Sequence, residues 1–272
     1  MTLRVLHVSD LHAGTREEPA VEQALAAFAE RARLDLVIAS GDLTHRGRPA
    51  QHDRAASFLR SLGPPVLAVP GNHDIPYSFP ARFTRTFAQF ERVWGETQPV
   101  FSSEAVHVVG LNSVRAWRHQ SGGLRASQLG WAAERFAEAA PGALRIAVMH
   151  HQMIGAPWRT AKRPVARRNH VLAALVDAGA ELILSGHTHQ AAVAERHEFE
   201  VWADQPGVTI STAPGLGQPR PRRRGEARGL HLYEACRGEL RVLTYAWRDG
   251  AFGLTAERRF PRGREPLTAT PG

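Results

Sequence analysis

Aliphatic runs of strand length alternate with amphipathic helical stretches through the first two-thirds of the chain, a pattern that predicts βαβ units around a largely parallel core. Strands are expected at residues 3–9, 34–40, 65–69, 106–112, 144–149 and 181–185. Helices are expected between them at 19–33, 49–62, 83–93, 127–139 and 167–178. From residue 191 the pattern changes to short strands, at 191–201, 208–212, 229–235, 240–248 and 252–259. No linker composition divides the chain, so a single α/β domain over 1–260 is expected, followed by a flexible tail at 261–272 rich in Pro, Gly and Thr. The segment 218–225, with prolines among clustered arginines, is expected to be a second mobile piece.

The polar residues at the ends of these strands change the picture. Five aliphatic runs stop directly at side chains able to hold a metal: Asp10 and His12; Asp42; Asn72, His73 and Asp74; His150 and His151; His187 and His189. In an α/β sheet the residues just past the carboxyl ends of neighbouring strands converge on one crevice. Gly41, Gly71 and Gly186 precede three of the clusters, where positive φ would let the chain turn and aim the next side chain inward. Asp10 and His12, like His187 and His189, stand two apart, a spacing that puts both side chains on one side of an extended segment. Carboxylate, amide and imidazole suit Mn, Fe, Zn or Co, and a carboxylate such as Asp42 can bridge two ions. The ordered set therefore predicts a dinuclear centre. Cys236 is the only cysteine, which excludes an internal disulfide and a thiolate cluster.

Composition adds three limits. The chain has 272 residues with 43% hydrophobic and 22% charged, enough for a sizeable core and unlike a disordered chain. No run approaches the roughly 18 apolar residues of a membrane span, and the first ten residues lack a signal-peptide pattern, so a cytoplasmic protein with no integral membrane association is expected. The net charge is +8, concentrated in residues 159–168 and 220–228, two arginine-rich loops suited to a phosphate-bearing partner or simply to solvent. Among the tryptophans, at 94, 117, 131, 158, 202 and 247, burial is the default, with Trp158 the candidate aromatic wall. His45 reads as a solvent-facing loop residue. Nothing in the sequence fixes an oligomeric state.

The order Asp10-x-His12, Gly41-Asp42, Gly71-Asn72-His73-Asp74, His150 and Gly186-His187-x-His189 resembles the calcineurin-like metallophosphoesterase superfamily. A second stretch, Leu111-Asn112-Ser113 followed by Gly123-Leu124, Gln128-Leu129 and Trp131, is similar to its bacterial cyclic-nucleotide and glycerophosphodiester phosphodiesterase branch. The resemblance implies a four-layer α/β/β/α sandwich of two mixed sheets. It implies one ion held by Asp10, His12, Asp42 and His189, and another by Asp42, Asn72, His150 and His187. A bridging hydroxide would attack phosphorus in line, with His73 as general acid, Asp74 holding the His73 ring, and Asn72, His73 and His189 facing substrate, while His151, beside His150, is expected either to wall the cleft or to touch substrate directly. The substrate implied is a small anionic phosphodiester, with a 3′,5′-cyclic nucleotide such as cAMP first. Glycerophosphodiesters, phospholipid headgroups and nucleic acid are the alternatives, and a non-catalytic scaffold on the same fold is the alternative of another class. The branch often carries prolines where Gln152 and Met153 stand and an acidic residue at the place of His45.

Overall fold

The computed structural model describes residues 2–15, 19–118, 120–155, 162–198, 207–217 and 228–262. Two six-stranded sheets face each other. The first holds β1 (Leu3–Val8), β2 (Leu36–Ala39) and β3 (Val66–Ala68) in parallel, and β10 (Gly229–Ala235), β11 (Glu239–Arg248) and β12 (Ala251–Pro261) as an antiparallel meander joined to β1. Its order is β12-β11-β10-β1-β2-β3. In the second, β5 (Val106–Gly110), β6 (Leu144–Val148), β7 (Leu182–Ser185) and β9 (Thr209–Thr212) run parallel, flanked by antiparallel β4 (Val100–Ser102) and β8 (Ala192–Glu195).

The helices cover the outer faces. In α1 (Pro19–Ala32) the buried residues Val21, Leu25, Phe28 and Ala29 recur at helical spacing, and in α2 (Pro49–Ser61) Ala55, Ala56 and Leu59 do the same. Both helices open on proline, whose missing N–H costs nothing in a first turn. Their apolar stripes share one core with Leu6, Val8, Val37 and Ala39 of the first sheet. α5 (Ala126–Ala137) and α6 (Arg168–Asp177) pack Leu129, Phe136, Leu172 and Leu175 on Val109, Ala147 and Ile183 of the second sheet. A third core, with Val5, Ile38, Val108, Ile146 and Leu184, lies between the sheets. The result is the expected four-layer α/β/β/α sandwich.

Polar side chains also cross the space between the sheets. His7 Nε2 lies 2.8 Å from Ser40 Oγ and His7 Nδ1 3.1 Å from the Tyr233 hydroxyl, which donates to Ser211 Oγ on β9 at 2.7 Å. Ser211 Oγ is in turn 2.8 Å from His231 Nδ1. All five residues are fully buried. Burial pushes His231 down to about 3 and, with the charge of His231, holds His7 well below the usual histidine value, so both rings are neutral members of the network.

Several expected elements differ. The helix expected over 83–93 is two pieces, α3 (Ala81–Thr84) and α4 (Ala88–Trp94), separated where Arg85 (φ −137°, ψ 44°) and Phe87 (φ −110°, ψ 3°) leave helical backbone. The strand expected from residue 191 ends at Glu195 in a 3₁₀ turn, Arg196–Glu198, and its last part lies outside the described residues. β4 has no counterpart in the sequence reading. Pro261 still pairs with Glu239, and Arg262 reaches Glu181 at 3.0 Å, so the first two residues of the expected tail are fixed to the sandwich. Residues 263–272 and 218–225 lie outside the description. No described helix is long and apolar enough to cross a membrane.

Candidate metal centre

Five strands deliver the candidate residues to one end of the sandwich, three from the first sheet and two from the second. Asp10 and His12 follow β1, Asp42 follows β2, Asn72 and His73 follow β3, His150 follows β6, and His187 and His189 follow β7. Backbone bonds lock these turns together: Asp10 N–H to Gly41 O at 2.9 Å, His12 N–H to Asp42 O at 2.9 Å and Gly186 N–H to His150 O at 3.0 Å. Two bonds cross between sheets, from His187 N–H to Asp10 Oδ2 at 2.9 Å and from His150 Nδ1 to Ser40 O at 2.8 Å.

Asp10, His12, Asp42, His187 and His189 all have φ between 50° and 72°. That left-handed region is disfavoured for residues with a Cβ, and such strain persists only where its surroundings impose it. Gly41 has the expected positive φ, 89°. Gly71 and Gly186 do not; they are required for close approach instead. A Cβ on Gly71 would strike the backbone N and the carboxylate of Asp42, and one on Gly186 would strike Ser9 Oγ. Gly71→Ala is therefore expected to displace the Asp42 carboxylate and cut turnover by about 10²-fold, the usual cost of misplacing a reacting constellation by an ångström. Metal stoichiometry and kcat of the purified variant check this; wild-type values for both would contradict it.

The side chains form two fully buried donor groups, Asp10 with His12 and His189, and Asp42 with His150 and His187, and a third, less buried set in which His12 meets His45 and His73 at the rim. In the first, His12 Nε2 and His189 Nε2 face each other at 3.2 Å and His189 Nε2 is 3.2 Å from Asp10 Oδ1. In the second, His150 Nε2 is 3.2 Å from Asn72 Oδ1, 3.1 Å from His187 Nδ1 and 3.4 Å from Asp42 Oδ1. His150 donates Nδ1–H to Ser40, so in the neutral ring Nε2 carries a lone pair that points at three other acceptors. Only a cation, or an added proton, relieves that arrangement. Donor atoms bonded at about 2.0–2.2 Å to a common ion stand about 3.0–3.5 Å from one another, so the observed spacings fit a bound metal. Asp42 serves both groups, with Oδ1 toward His150 and the fully buried Oδ2 3.9 Å from His12 Nε2, and no described residue donates to Oδ2.

The charges agree. Burial opposes ionisation of Asp10 and Asp42, yet the imidazoles of His189 for the one and of His150 and His73 for the other hold both carboxyls well below the ordinary range. Burial lowers His12 and His187 well below the usual value, leaving neutral rings ready to ligate. Burial also acts against His150, but the neighbouring Asp42 carboxylate overcomes it and raises the ring to about 9.

His73 stands at the rim, its ring edge-on to His12 with centroids 4.8 Å apart. Its Nδ1 donates to His45 O at 2.8 Å and lies 2.7 Å from the Tyr77 hydroxyl, which is also 3.5 Å from Nε2. Two sequence expectations are corrected here. Asp74 does not hold the His73 ring: its carboxylate accepts from Gly71 N at 2.8 Å, Leu43 N at 3.2 Å and Thr44 N at 2.8 Å, and so fastens the loop after β3 to the loop after β2. His45 is not a solvent-facing loop residue. It is half-buried, stacked on His73 at 5.9 Å, and supplies the carbonyl that sets the His73 tautomer. Tyr77 and Ser113, both beside the site, were missed; the one sequence signal for Ser113 was its place in the Leu111-Asn112-Ser113 stretch.

His151 lies against this centre rather than in it, with ring centroids 5.1 Å from His150 and 4.7 Å from His187. Of the arginine-rich loops, Arg163, Arg167 and Arg168 are exposed and Arg228 stacks on Trp247 at 5.4 Å, while residues 159–161 and 220–227 are outside the described residues. Trp158 and Trp202 are outside them as well. Trp117 is 64% exposed, contrary to the expected burial, and belongs to a rim with Tyr77, Phe79 and Phe83, all exposed. Arg82 ties the two parts of that rim, donating to Ala116 O and Pro76 O at 2.7 and 3.1 Å.

A two-sheet sandwich whose strand ends carry two donor sets around one shared carboxylate is the architecture of a dimetal phosphoesterase. Residues 3–191 match the family model described as calcineurin-like phosphoesterase. The chain belongs to that family and is a metal-dependent phosphoesterase. It is 31% identical over 206 residues to a probable cyclic nucleotide phosphodiesterase of Synechococcus sp., spanning 72% of this chain and 77% of the relative. It is 28% identical over 188 residues to the glycerophosphodiester phosphodiesterase GpdQ of Enterobacter lignolyticus, spanning 68% of this chain and 63% of that one. Among solved structures it is similar in fold to a purple acid phosphatase from yellow lupin seeds, with TM-score 0.71 and 12% identity over 95% of this chain and 53% of the phosphatase.

Proposed function

We propose that the protein hydrolyses a small phosphodiester, with a 3′,5′-cyclic nucleotide such as cAMP as the leading substrate. The observation that carries the reading is the pair of buried donor groups joined by Asp42, with Oδ1 3.4 Å from His150 Nε2 and Oδ2 3.9 Å from His12 Nε2, and with His73 beside them. Asp10, His12, Asp42 and His189 would hold one ion, and Asp42, Asn72, His150 and His187 the other, chosen from Mn, Fe, Zn or Co. Such ions, when bound, supply Lewis-acid charge to the phosphoryl oxygens and activate water. The chain's own contribution is to fix the donors on strained, buried turns, to orient Asn72 and His73 toward the phosphoryl group, and to hold the His73 ring by Nδ1–H on His45 O, so that Nε2, once the ring has taken a second proton, can pass that proton to a leaving oxygen.

The names of the relatives support a diester. The aromatic rim of Tyr77, Phe79, Phe83 and Trp117 supports a flat apolar group beside it, as a nucleobase would present. The glycerophosphodiester relative supports the second reading, a non-cyclic diester handled by the same centre.

Turnover of 3′,5′-cAMP and of bis(4-nitrophenyl) phosphate by Mn-reconstituted protein, with Asp42→Ala as the blank, tests this. Cleavage of both, with cAMP competing for the aryl diester, is the expected result. Cleavage of the aryl diester alone would remove the cyclic nucleotide and turn the search to glycerophosphodiesters, lipids and nucleic acid. No cleavage of either would overturn the reading.

A further inference from the structure

His151 is the buried imidazole beside the centre that neither donor group includes. Its Nδ1 is 2.8 Å from Ser113 Oγ, and the same hydroxyl oxygen accepts the His151 backbone N–H at 3.2 Å. Among the described residues the Ser113 hydroxyl has no other acceptor than His151 Nδ1. Ser113 therefore donates to Nδ1, and the ring proton sits on Nε2. That Nε2 is buried and has no hydrogen-bond partner among the described residues. A buried donor without an acceptor is costly enough that native sites rarely leave one.

The neighbouring chain is shaped to hold the ring. Gly122 packs directly on it, and a Cβ there would strike Nδ1 and Cγ. Gly123 N–H donates to Ser113 O at 3.0 Å and Ala166 N–H to Gly122 O at 2.9 Å, while Gln120 O lies 3.3 Å from His187 Nε2. Gln120 and Gly122, just ahead of the Gly123-Leu124 motif, thus lie over His187 and His151 respectively. Lys162, the only lysine of an arginine-rich chain, donates to His187 O and so brings a positive charge beside the pair.

We propose that His151 is a further catalytic residue, whose Nε2–H donates to a non-bridging oxygen of the phosphoryl group, with Ser113 and Gly122 as its positioning residues. The assignment rests on the phosphodiester reading above. An oriented N–H of this kind strengthens as charge develops on phosphorus-bound oxygen, and its removal costs about 10- to 100-fold.

The test uses Zn-loaded wild type, His151→Ala, His151→Gln and Ser113→Ala, with bis(4-nitrophenyl) phosphate, its phosphorothioate and inorganic phosphate as probes. Expected for His151→Ala are full metal content, kcat/KM on the oxygen diester reduced about 10- to 100-fold, and a smaller ratio between oxygen and sulfur substrates, because sulfur accepts a hydrogen bond poorly. His151→Gln, which keeps an N–H, recovers part of the loss, and Ser113→Ala falls between. Calorimetry with inorganic phosphate gives a dissociation constant about ten-fold weaker in His151→Ala. A rate within two-fold of wild type, an unchanged oxygen-to-sulfur ratio, or a metal ion lost in both His151 variants would overturn the proposal. If wild type cleaves neither diester, the phosphodiester reading fails, and an unchanged phosphate affinity in His151→Ala then overturns the role of His151 separately.

Discussion

Asp42→Ala is expected to slow diester hydrolysis by at least about 10³-fold and to lower the bound metal from two ions per chain, because one carboxylate serves both donor groups. It also removes the acceptor of the His73 backbone N–H at 2.8 Å, so the general-acid candidate loses its anchor together with the ions. The same pair sets a pH dependence. Without metal, His150 is raised from 6.5 to about 9, against the effect of burial, by the Asp42 charge. A raised histidine stabilises the metal-free fold fully below its unfolded value, and that contribution is lost as pH rises through about 9. Metal must displace this proton, so apparent affinity should climb with pH up to about 9 and then level off. In Asp42→Asn, with the carboxylate gone, the climb should end at lower pH. Chelator competition across that range and elemental analysis of both variants measure this; wild-type metal content and rate in Asp42→Ala would show that the bridge is misassigned.

His73→Ala is expected to cost about 10²–10⁴ in kcat while leaving the metal in place. The loss should depend on the leaving group. A 4-nitrophenolate departs without a proton, whereas an alkoxide needs one, so dialkyl diesters, from which an alkoxide must leave, should suffer more than bis(4-nitrophenyl) phosphate. Tyr77→Phe tests the support of the ring: it removes a hydroxyl 2.7 Å from Nδ1 but leaves the bond to His45 O, and should cost only a few-fold. An equal loss of rate on every leaving group would count against proton donation by His73 and leave it a role in binding.

The parallel halves of both sheets were legible because each strand announces itself as a short aliphatic run cut by a glycine or a polar cluster. The strand-end clusters that supply the donors were legible for the same reason, since each cluster is contiguous in sequence and only their meeting had to be inferred. What sequence did not reveal depends on side-chain direction or on distant packing. Asp74 follows His73 directly, yet its carboxylate turns toward backbone amides 30 and 31 residues earlier, and adjacency gave no hint of that. His45 became part of the site through its carbonyl, an atom every residue has. β4 is three residues at a sheet edge, too short to show a period, and the α3–α4 break lies in the backbone of Arg85 and Phe87, inside a segment of continuous helical character that gave no sign of it.

The hydroxyl and imidazole chain from Ser40 through His7 and Tyr233 to Ser211 joins the two sheets beneath the centre. Sliding one sheet past the other would strand several donors in a dry interior, so the network acts as a pin against shear. Each donor group draws on both sheets, Asp10 and His12 meeting His189, and Asp42 meeting His150 and His187. The sheets consequently cannot breathe apart as independent layers, and amide protons at the ends of β2 and β7 are expected to exchange through one cooperative opening rather than two.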